Sequence, residues 1–207
     1  MSCLLDIAGF EARYREAADP WNVFHSPDEY QKRDAIIEAA RRGDPGHMLE
    51  LGCGIGGHSV ALAKIAERLD CIEATSTGVD RTRASLCNYR HTRVHQLTLP
   101  GRLPSSSYST VVVSELLYYM SVLDMTKLAF DIGGVLARGG QLVLAHHYAH
   151  FDDAHQSGAT IHRDFAQACA CLHSRPELVA RTEHWRVERF TRRRRPQLSL
   201  KLGHPQN

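Results

Sequence analysis

One nine-residue stretch restricts the fold more than any other: Met48-Leu49-Glu50-Leu51-Gly52-Cys53-Gly54-Ile55-Gly56. It reads as a short apolar strand that ends in G-x-G-x-G and runs into a helix. Glycines in such a turn let the backbone bend sharply and approach a ligand closely. The helix after the turn points its positive end at whatever binds. The rest of the chain continues the pattern. Residues 71–73, 93–97, 108–113 and 141–145 read as further strands, and the valine run of 108–113 suits a strand buried on both faces. Helices are expected between them. The first covers 59–69, with Leu62, Ile65, Ala66 and Leu69 on one face. The second runs from about 77 to 88 with Thr75 or Ser76 as N-cap, and the third from about 125 to 137. Gly139-Gly140 then turns the chain into the fifth strand. Strand–helix alternation of this kind gives an α/β fold, a mostly parallel sheet with helices on both faces.

Two helices precede the first strand. Phe10, Tyr14 and Ala17 recur at helix spacing until Asp19-Pro20-Trp21-Asn22 breaks the pattern. A second helix is expected over about 27–42, with Tyr30, Ile36, Ile37 and Ala40 buried. After the fifth strand come a helix over about 160–172 and two candidate closing strands, 178–180 and 186–190. With 207 residues the chain has room for one domain. We expect it over 1–190, with a helical cap at about 1–43, and a basic, flexible tail over 191–207.

The acidic residues near the turn are the first binding candidates. An acid at the end of the second strand, about 20 residues beyond the glycines, is placed to bind ribose hydroxyls. Glu73 stands 21 residues after Gly52, whereas its competitor Asp80 falls inside a helix. Glu50, inside the first strand, could orient the loop or meet a ligand amino group through water. His58-Ser59 stands where a dinucleotide fingerprint expects close helix packing, which speaks against NAD.

Composition narrows the partners. A net charge of +2 gives little support to nucleic-acid binding. No apolar run approaches the roughly 20 residues of a membrane span, and no signal peptide is apparent, so a cytoplasmic location is expected. The six cysteines are irregularly spaced and read as reduced thiols rather than zinc ligands.

At this point the residues carry a resemblance. Leu49–Gly56 with Val112-Val113-Ser114-Glu115-Leu116-Leu117-Tyr118-Tyr119 resembles the first and fourth strand motifs of class I S-adenosyl-L-methionine-dependent methyltransferases. Phe10-Glu11-Ala12-Arg13-Tyr14, Asp19-Pro20-Trp21, residues 140–146, Ser157-Gly158 and His162 are similar to the nodulation protein S family. That family includes N-methyltransferases acting on the free amine of a deacetylated chito-oligosaccharide. The resemblance implies a Rossmann-like methyltransferase fold, a three-layer sandwich closed by an antiparallel hairpin. It also implies S-adenosyl-L-methionine as cofactor. Gly52, Gly54 and Gly56 would face its methionine part, Glu73 its ribose, and Leu97 its adenine. Tyr30 and Arg33 would cover it and meet its carboxylate, and Ser114 lies in the fourth-strand motif. Ser109 departs from the family, which usually has Asp just before the fourth strand.

Methyl transfer from a sulfonium mainly needs alignment, and an amine acceptor also needs a free lone pair. Glu115, just past the fourth strand, could take a proton or hold an ammonium. His146, ending the fifth strand, and His162, opening a helix, match the family in position and are the other catalytic candidates. His147, His150, Asp152, Asp153 and His155 surround His146, but their spacing does not single out a metal site, and none is expected. Tyr118, Tyr119 and Trp21 could line the acceptor pocket, since aromatic faces stack on sugars and attract ammonium groups. The expected partner is therefore a small molecule, an amino sugar for preference, bound by a monomer or homodimer. Arg192-Arg193-Arg194-Arg195 reads as solvated tail. The rival readings are an RNA or protein methyltransferase, an NAD-dependent oxidoreductase and a non-catalytic binding module.

Overall fold

In the central strands alternate side chains go to opposite faces, and this alternation builds two cores. The computed structural model describes residues 6–105, 107–148, 158–169 and 176–192. Leu49 and Leu51 of β1 (His47–Leu51), Val111 and Val113 of β4 (Tyr108–Ser114), and Leu142 and Leu144 of β5 (Leu136–His147) share one core. Helices α5 (Val122–Val135) and α6 (Ile161–Ala168) cover it with Leu128, Ile132 and Phe165. Met48, Val112, Val143 and Ala145 face the other way. There they meet Ile36 and Ala39 of α2 (Pro27–Arg41) and Leu62 of α3 (Ser59–Ala63). The result is the expected three-layer α/β sandwich.

The sheet order is β3 (Thr92–Gln96), β2 (Arg68–Glu73), β1, β4, β5, β7 (Trp185–Thr191), β6 (Glu177–Arg181). The first five strands are parallel, and β7 runs antiparallel to both its neighbours. The order reverses between β1 and β4, so a crevice opens beyond their carboxyl ends, where doubly wound sheets bind ligands.

Several boundaries move from the sequence expectation. The helix expected over 59–69 stops at Ala63, and Leu69 is instead a core residue of β2 paired with Met48. A turn followed by a strand satisfies the same apolar spacing. α5 starts earlier, at Val122, where the Ser121 hydroxyl accepts from the Asp124 amide. Gly139 and Gly140 lie inside β5, at a register shift against β4. α2 buries Ile36 and Ala40 as expected, but not Tyr30. Tyr30 is 46% exposed and donates its hydroxyl to the Phe24 carbonyl, while Glu29 and Lys32 turn inward. The tail beyond Arg192 and the segment holding His150, Asp152, Asp153, His155 and Ser157 lie outside the described residues, as do Cys3 and Cys171. Arg192 itself donates to the carbonyls of Gly133 and Leu136.

The helix α1 (Ile7–Glu16) sits on α4 (Ser76–Ser85) through charge at helix ends. The Glu11 carboxylate accepts from the Thr77 amide (3.1 Å), the Thr77 hydroxyl (2.7 Å) and the Ser76 hydroxyl (3.1 Å) in the first turn of α4. Arg81 returns the contact, donating to the carbonyls of Tyr14, Ala17 and Ala18 at the end of α1. The Thr77 bonds hold the Glu11 carboxyl down at about 2. A depressed carboxyl pKa stabilises the folded state above the ordinary value of 4.5, and that contribution fades as pH falls toward 2. Hydrogen exchange between pH 5 and pH 2 is therefore expected to show α1 amides opening before those of β1 and β4. Glu11→Gln should bring that early opening to neutral pH.

Candidate active site

Backbone geometry at the ends of β1 and β4 shapes the crevice. Gly52 and Gly54 have φ of 70° and 57°, a region that side chains other than glycine enter at a cost. The Gly54 amide donates to Glu73 Oε2 (3.0 Å), and the Gly54 carbonyl accepts from Thr82 Oγ1 (3.0 Å). Beyond β4, Glu115 is itself left-handed, with φ of 53°. Asp19 fixes the other rim. Its carboxylate accepts from the amides of Val23 (2.8 Å) and Phe24 (3.0 Å), which tightens the turn carrying Trp21.

Two cavities meet here, within the size range of small-molecule sites. The first, about 500 Å³, has Glu73, Ala74, Leu97, Leu99 and Leu116 in its walls. The second, about 360 Å³, is walled by Trp21, Glu29, His58, Ser114, Tyr118 and His147. Phe10, Tyr14, Gly52, Glu115 and Tyr119 border both, so the cavities join beside the glycine turn and under α1.

Glu73 ends β2 in the wall of the first cavity. Its Oε1 already accepts from the Thr75 amide (2.8 Å) and hydroxyl (2.7 Å), and burial raises its carboxyl against those bonds. Each carboxylate oxygen keeps capacity for another donor. Leu97 lines the same cavity, and Ser114 lines the second with its Oγ 3.3 Å from His58 Nε2.

Around Glu115 lies a charged cluster that sequence reasoning missed in part. Lys32, with a side-chain exposure of 0%, places Nζ 2.7 Å from Glu115 Oε1 and 2.7 Å from Glu29 Oε1. His147 Nδ1 lies 3.1 Å from Glu115 Oε2, and the Tyr118 hydroxyl donates to the same oxygen. Burial pushes the Glu115 carboxyl up, but Lys32 and His147 more than offset it and hold it well below the usual carboxylate range. Burial and the Glu115 charge push the Tyr118 hydroxyl well up. Glu115 is thus a fixed negative charge rather than a proton acceptor near neutrality. Two buried polar atoms here have no partner among the described residues: Glu29 Oε2 and His58 Nδ1. Burial pulls His58 down to about 3, so its ring is neutral. A signal for Lys32 and Glu29 was present. They share the helical stripe of Ile36 and Ala39, at spacings of four and seven.

Other candidates lie behind the cavities. Glu50 is buried, with Oε2 accepting from Ser59 Oγ (2.5 Å), and burial raises it to about 7. It braces the loop and borders neither cavity. Gly56 packs on Thr82. Arg33 stacks over Tyr30 at 4.5 Å and donates to the Gly57 carbonyl (3.2 Å), so neither it nor Tyr30 borders the cavities. His146 and His162 are fully buried beneath the Glu115 turn rather than in the cavities. No cluster of three or more potential ligands is arranged for a metal ion among the described residues. Nor is any helix among them long and apolar enough to cross a membrane.

Comparison with known proteins follows the same lines. The family described as Nodulation protein S (NodS) matches residues 10–159. The Nodulation protein S of Bradyrhizobium diazoefficiens is 28% identical over 127 residues, 60% of this chain and 61% of the relative. That of Rhizobium tropici is 30% identical over 132 residues, 61% of this chain and 54% of the relative. The chain thus matches less than two thirds of the length of either. Among solved structures, the N-methyltransferase NodS from Bradyrhizobium japonicum WM9, in complex with S-adenosyl-L-homocysteine, superposes with a TM-score of 0.74 at 19% identity. The match covers 90% of this chain and 97% of that one, and the shared architecture is the Rossmann-like methyltransferase fold.

Proposed function

This chain belongs to the nodulation protein S family, and we propose that it is an S-adenosyl-L-methionine-dependent methyltransferase whose acceptor is an amine on a small molecule, an amino sugar for preference. The residues present fit the cofactor. Gly52 and Gly54 leave a cradle that a side chain would fill, and Glu73 waits at the end of β2. Leu97 and Leu116 offer apolar walls to a base, and His58 Nδ1 offers a neutral polar partner beside the glycine turn. When bound, the cofactor supplies a methyl group from its sulfonium to the acceptor nitrogen.

The observation that carries the amine reading is Glu29 Oε2, a buried carboxylate oxygen with no partner, in the wall of the second cavity. A buried acceptor left unpaired is costly, and an amine N–H would satisfy it. Trp21, Tyr118 and Tyr119 suit the faces of a sugar ring and attract a nitrogen that gains positive charge. Glu115 stays ionised where the cavities join and favours the same charge. Glu29 holds the amine by its proton while the lone pair faces the junction. The chain's own residues thus align and stabilise.

The test is a titration of the purified protein with S-adenosyl-L-homocysteine, with NADH as control, followed by amino-sugar acceptors. Binding at roughly micromolar Kd is expected for the former and none for NADH. Glu29→Gln should raise the acceptor KM by about 10- to 100-fold, the worth of a charged hydrogen bond, and leave the homocysteine affinity unchanged. Loss of homocysteine affinity with an unchanged acceptor KM would assign Glu29 to the cofactor's own ammonium instead.

A further inference from the structure

The turn that carries Glu115 is followed by two backbone amides, Leu116 and Leu117, and both point at one atom. His146 Nε2 lies 3.3 Å from the Leu116 nitrogen and 3.2 Å from the Leu117 nitrogen. Facing two N–H donors, that ring nitrogen must hold its lone pair, so the ring proton sits on Nδ1. His146 Nδ1 is 3.0 Å from His162 Nε2, and His162 Nδ1 is 2.7 Å from Glu188 Oε2. One assignment of protons satisfies every contact: each imidazole is neutral with its proton on Nδ1, and Glu188 is the terminal carboxylate. The three side chains come from β5, α6 and β7. His146 and His162 are 0% exposed and touch neither cavity.

We propose that His146, His162 and Glu188 form a buried relay that positions the Glu115–Leu117 turn, and so sets the carboxylate and the cavity wall where cofactor and acceptor meet. The functional part of this inference rests on the methyltransferase reading. The turn needs such a device for two reasons. Glu115 sits at a φ of 53°, a strained conformation that persists only where its surroundings hold it. Leu116 packs so closely on the glycine turn that a Cβ at Gly52 would lie 3.2 Å from its Cδ1. A shift of the turn therefore moves the floor of the first cavity and the charge of the second together. His162 and Glu188 make the His146 lone pair point at the amides by fixing the ring's tautomer and tilt. The Tyr118 ring closes the other side at 5.5 Å, edge to face.

These are positioning residues, and the geometry denies them a direct part in methyl transfer. The relay works only while His146 is neutral. A proton on Nε2 would face two N–H groups. The titratable and charged groups around His146 are His162 on α6, Glu115 after β4, Lys32 on α2, and Arg186 and Glu188 on β7. Burial and His162 together hold the imidazole well below its ordinary 6.5. Sites so depressed lose their contribution as pH falls below 6.5, because the opened state binds the proton more readily.

Three variants in the full chain test the relay. In His162→Gln the amide carbonyl still accepts from His146 and its NH2 still donates to Glu188. In His162→Leu both links are cut. We expect His162→Leu to lower kcat/KM by roughly 100-fold, as an ~1 Å misplacement does, and His162→Gln to stay within about threefold of wild type. His146→Gln keeps an acceptor for the two amides but cannot titrate, so it should retain activity and extend the acid limb of the pH profile. Hydrogen exchange gives a readout free of activity: His162→Leu should speed exchange of the Leu116 and Leu117 amides and leave those of β1 unchanged.

Two outcomes overturn the relay, and a third separates it from the methyltransferase reading. If His146→Gln abolishes kcat while homocysteine binding is intact, His146 is a catalytic base. If His162→Leu lowers Tm but leaves kcat/KM and the two amides as in wild type, the chain of rings is packing alone. If the wild type binds no S-adenosyl-L-homocysteine, the methyltransferase reading fails, and the two amides still decide whether the relay holds the turn.

Discussion

Gly54→Val is expected to abolish S-adenosyl-L-homocysteine binding and leave the sheet folded. A Cβ at position 54 would lie 2.7 Å from the Tyr14 hydroxyl oxygen, closer than real Cβ contacts come. Tyr14 cannot easily retreat, since it is 6% exposed and packs edge-on against Trp21. The backbone adds a second penalty. A β-branched residue at a φ of 57° is strained, at a cost of about 1–2 kcal/mol. The relief available is to rotate the turn, which withdraws the Gly54 amide from the Glu73 carboxylate. Loss of binding by calorimetry, with a Tm within several degrees of wild type, is the expected pair of results. Gly134→Ala is the control, because a Cβ there meets nothing within 4 Å. Retained binding in Gly54→Val would mean that the glycine turn does not hold the cofactor.

The second large effect is on stability. Lys32→Met should destabilise the protein by about 3–5 kcal/mol, because removing one partner of a buried pair strands the other charge. Here it strands two, Glu29 and Glu115, whose side chains are 11% and 26% exposed. For a chain of this length that is a Tm lower by roughly 10 °C. The mechanism makes a further demand. Adding Glu115→Gln to Lys32→Met should recover part of the loss, since one stranded charge is gone. A Lys32→Met protein that melts with wild type, or a double variant less stable than the single one, would show that the lysine is not compensating those carboxylates. Without Lys32 the Glu115 carboxyl also loses the neighbour that does most to hold it low.

The amphipathic elements were legible in the chain because their periods differ. Apolar runs at strand length and stripes at helix spacing place β1, β4, α2 and α5 within a few residues of where they lie. The G-x-G-x-G turn was legible because positive φ and close approach both select glycine, and Glu73 because strand length sets its distance from that turn. Where two structures satisfy one pattern, the reading drifted. Leu69 fits the stripe of Leu62 and Ile65, yet it belongs to β2.

The site divides in the same way. Sequence by itself determined the sheet class, the glycine cradle, the acid at the end of β2 and Glu115 at the ligand-binding edge, since all of these are set by local spacing along one chain. Only the tertiary structure decided what the charged groups do. Lys32 meets Glu115 across 83 positions, and His162 meets Glu188 across 26. A lone histidine on an apolar strand reads equally well as base, ligand or core residue. His146 becomes a positioning group only once the Leu116 and Leu117 amides are seen to converge on its lone pair. The physical reason is common to both. Backbone periodicity is a short-range property that each segment carries alone. Protonation state and charge are properties of an environment, and that environment is assembled from segments remote in sequence.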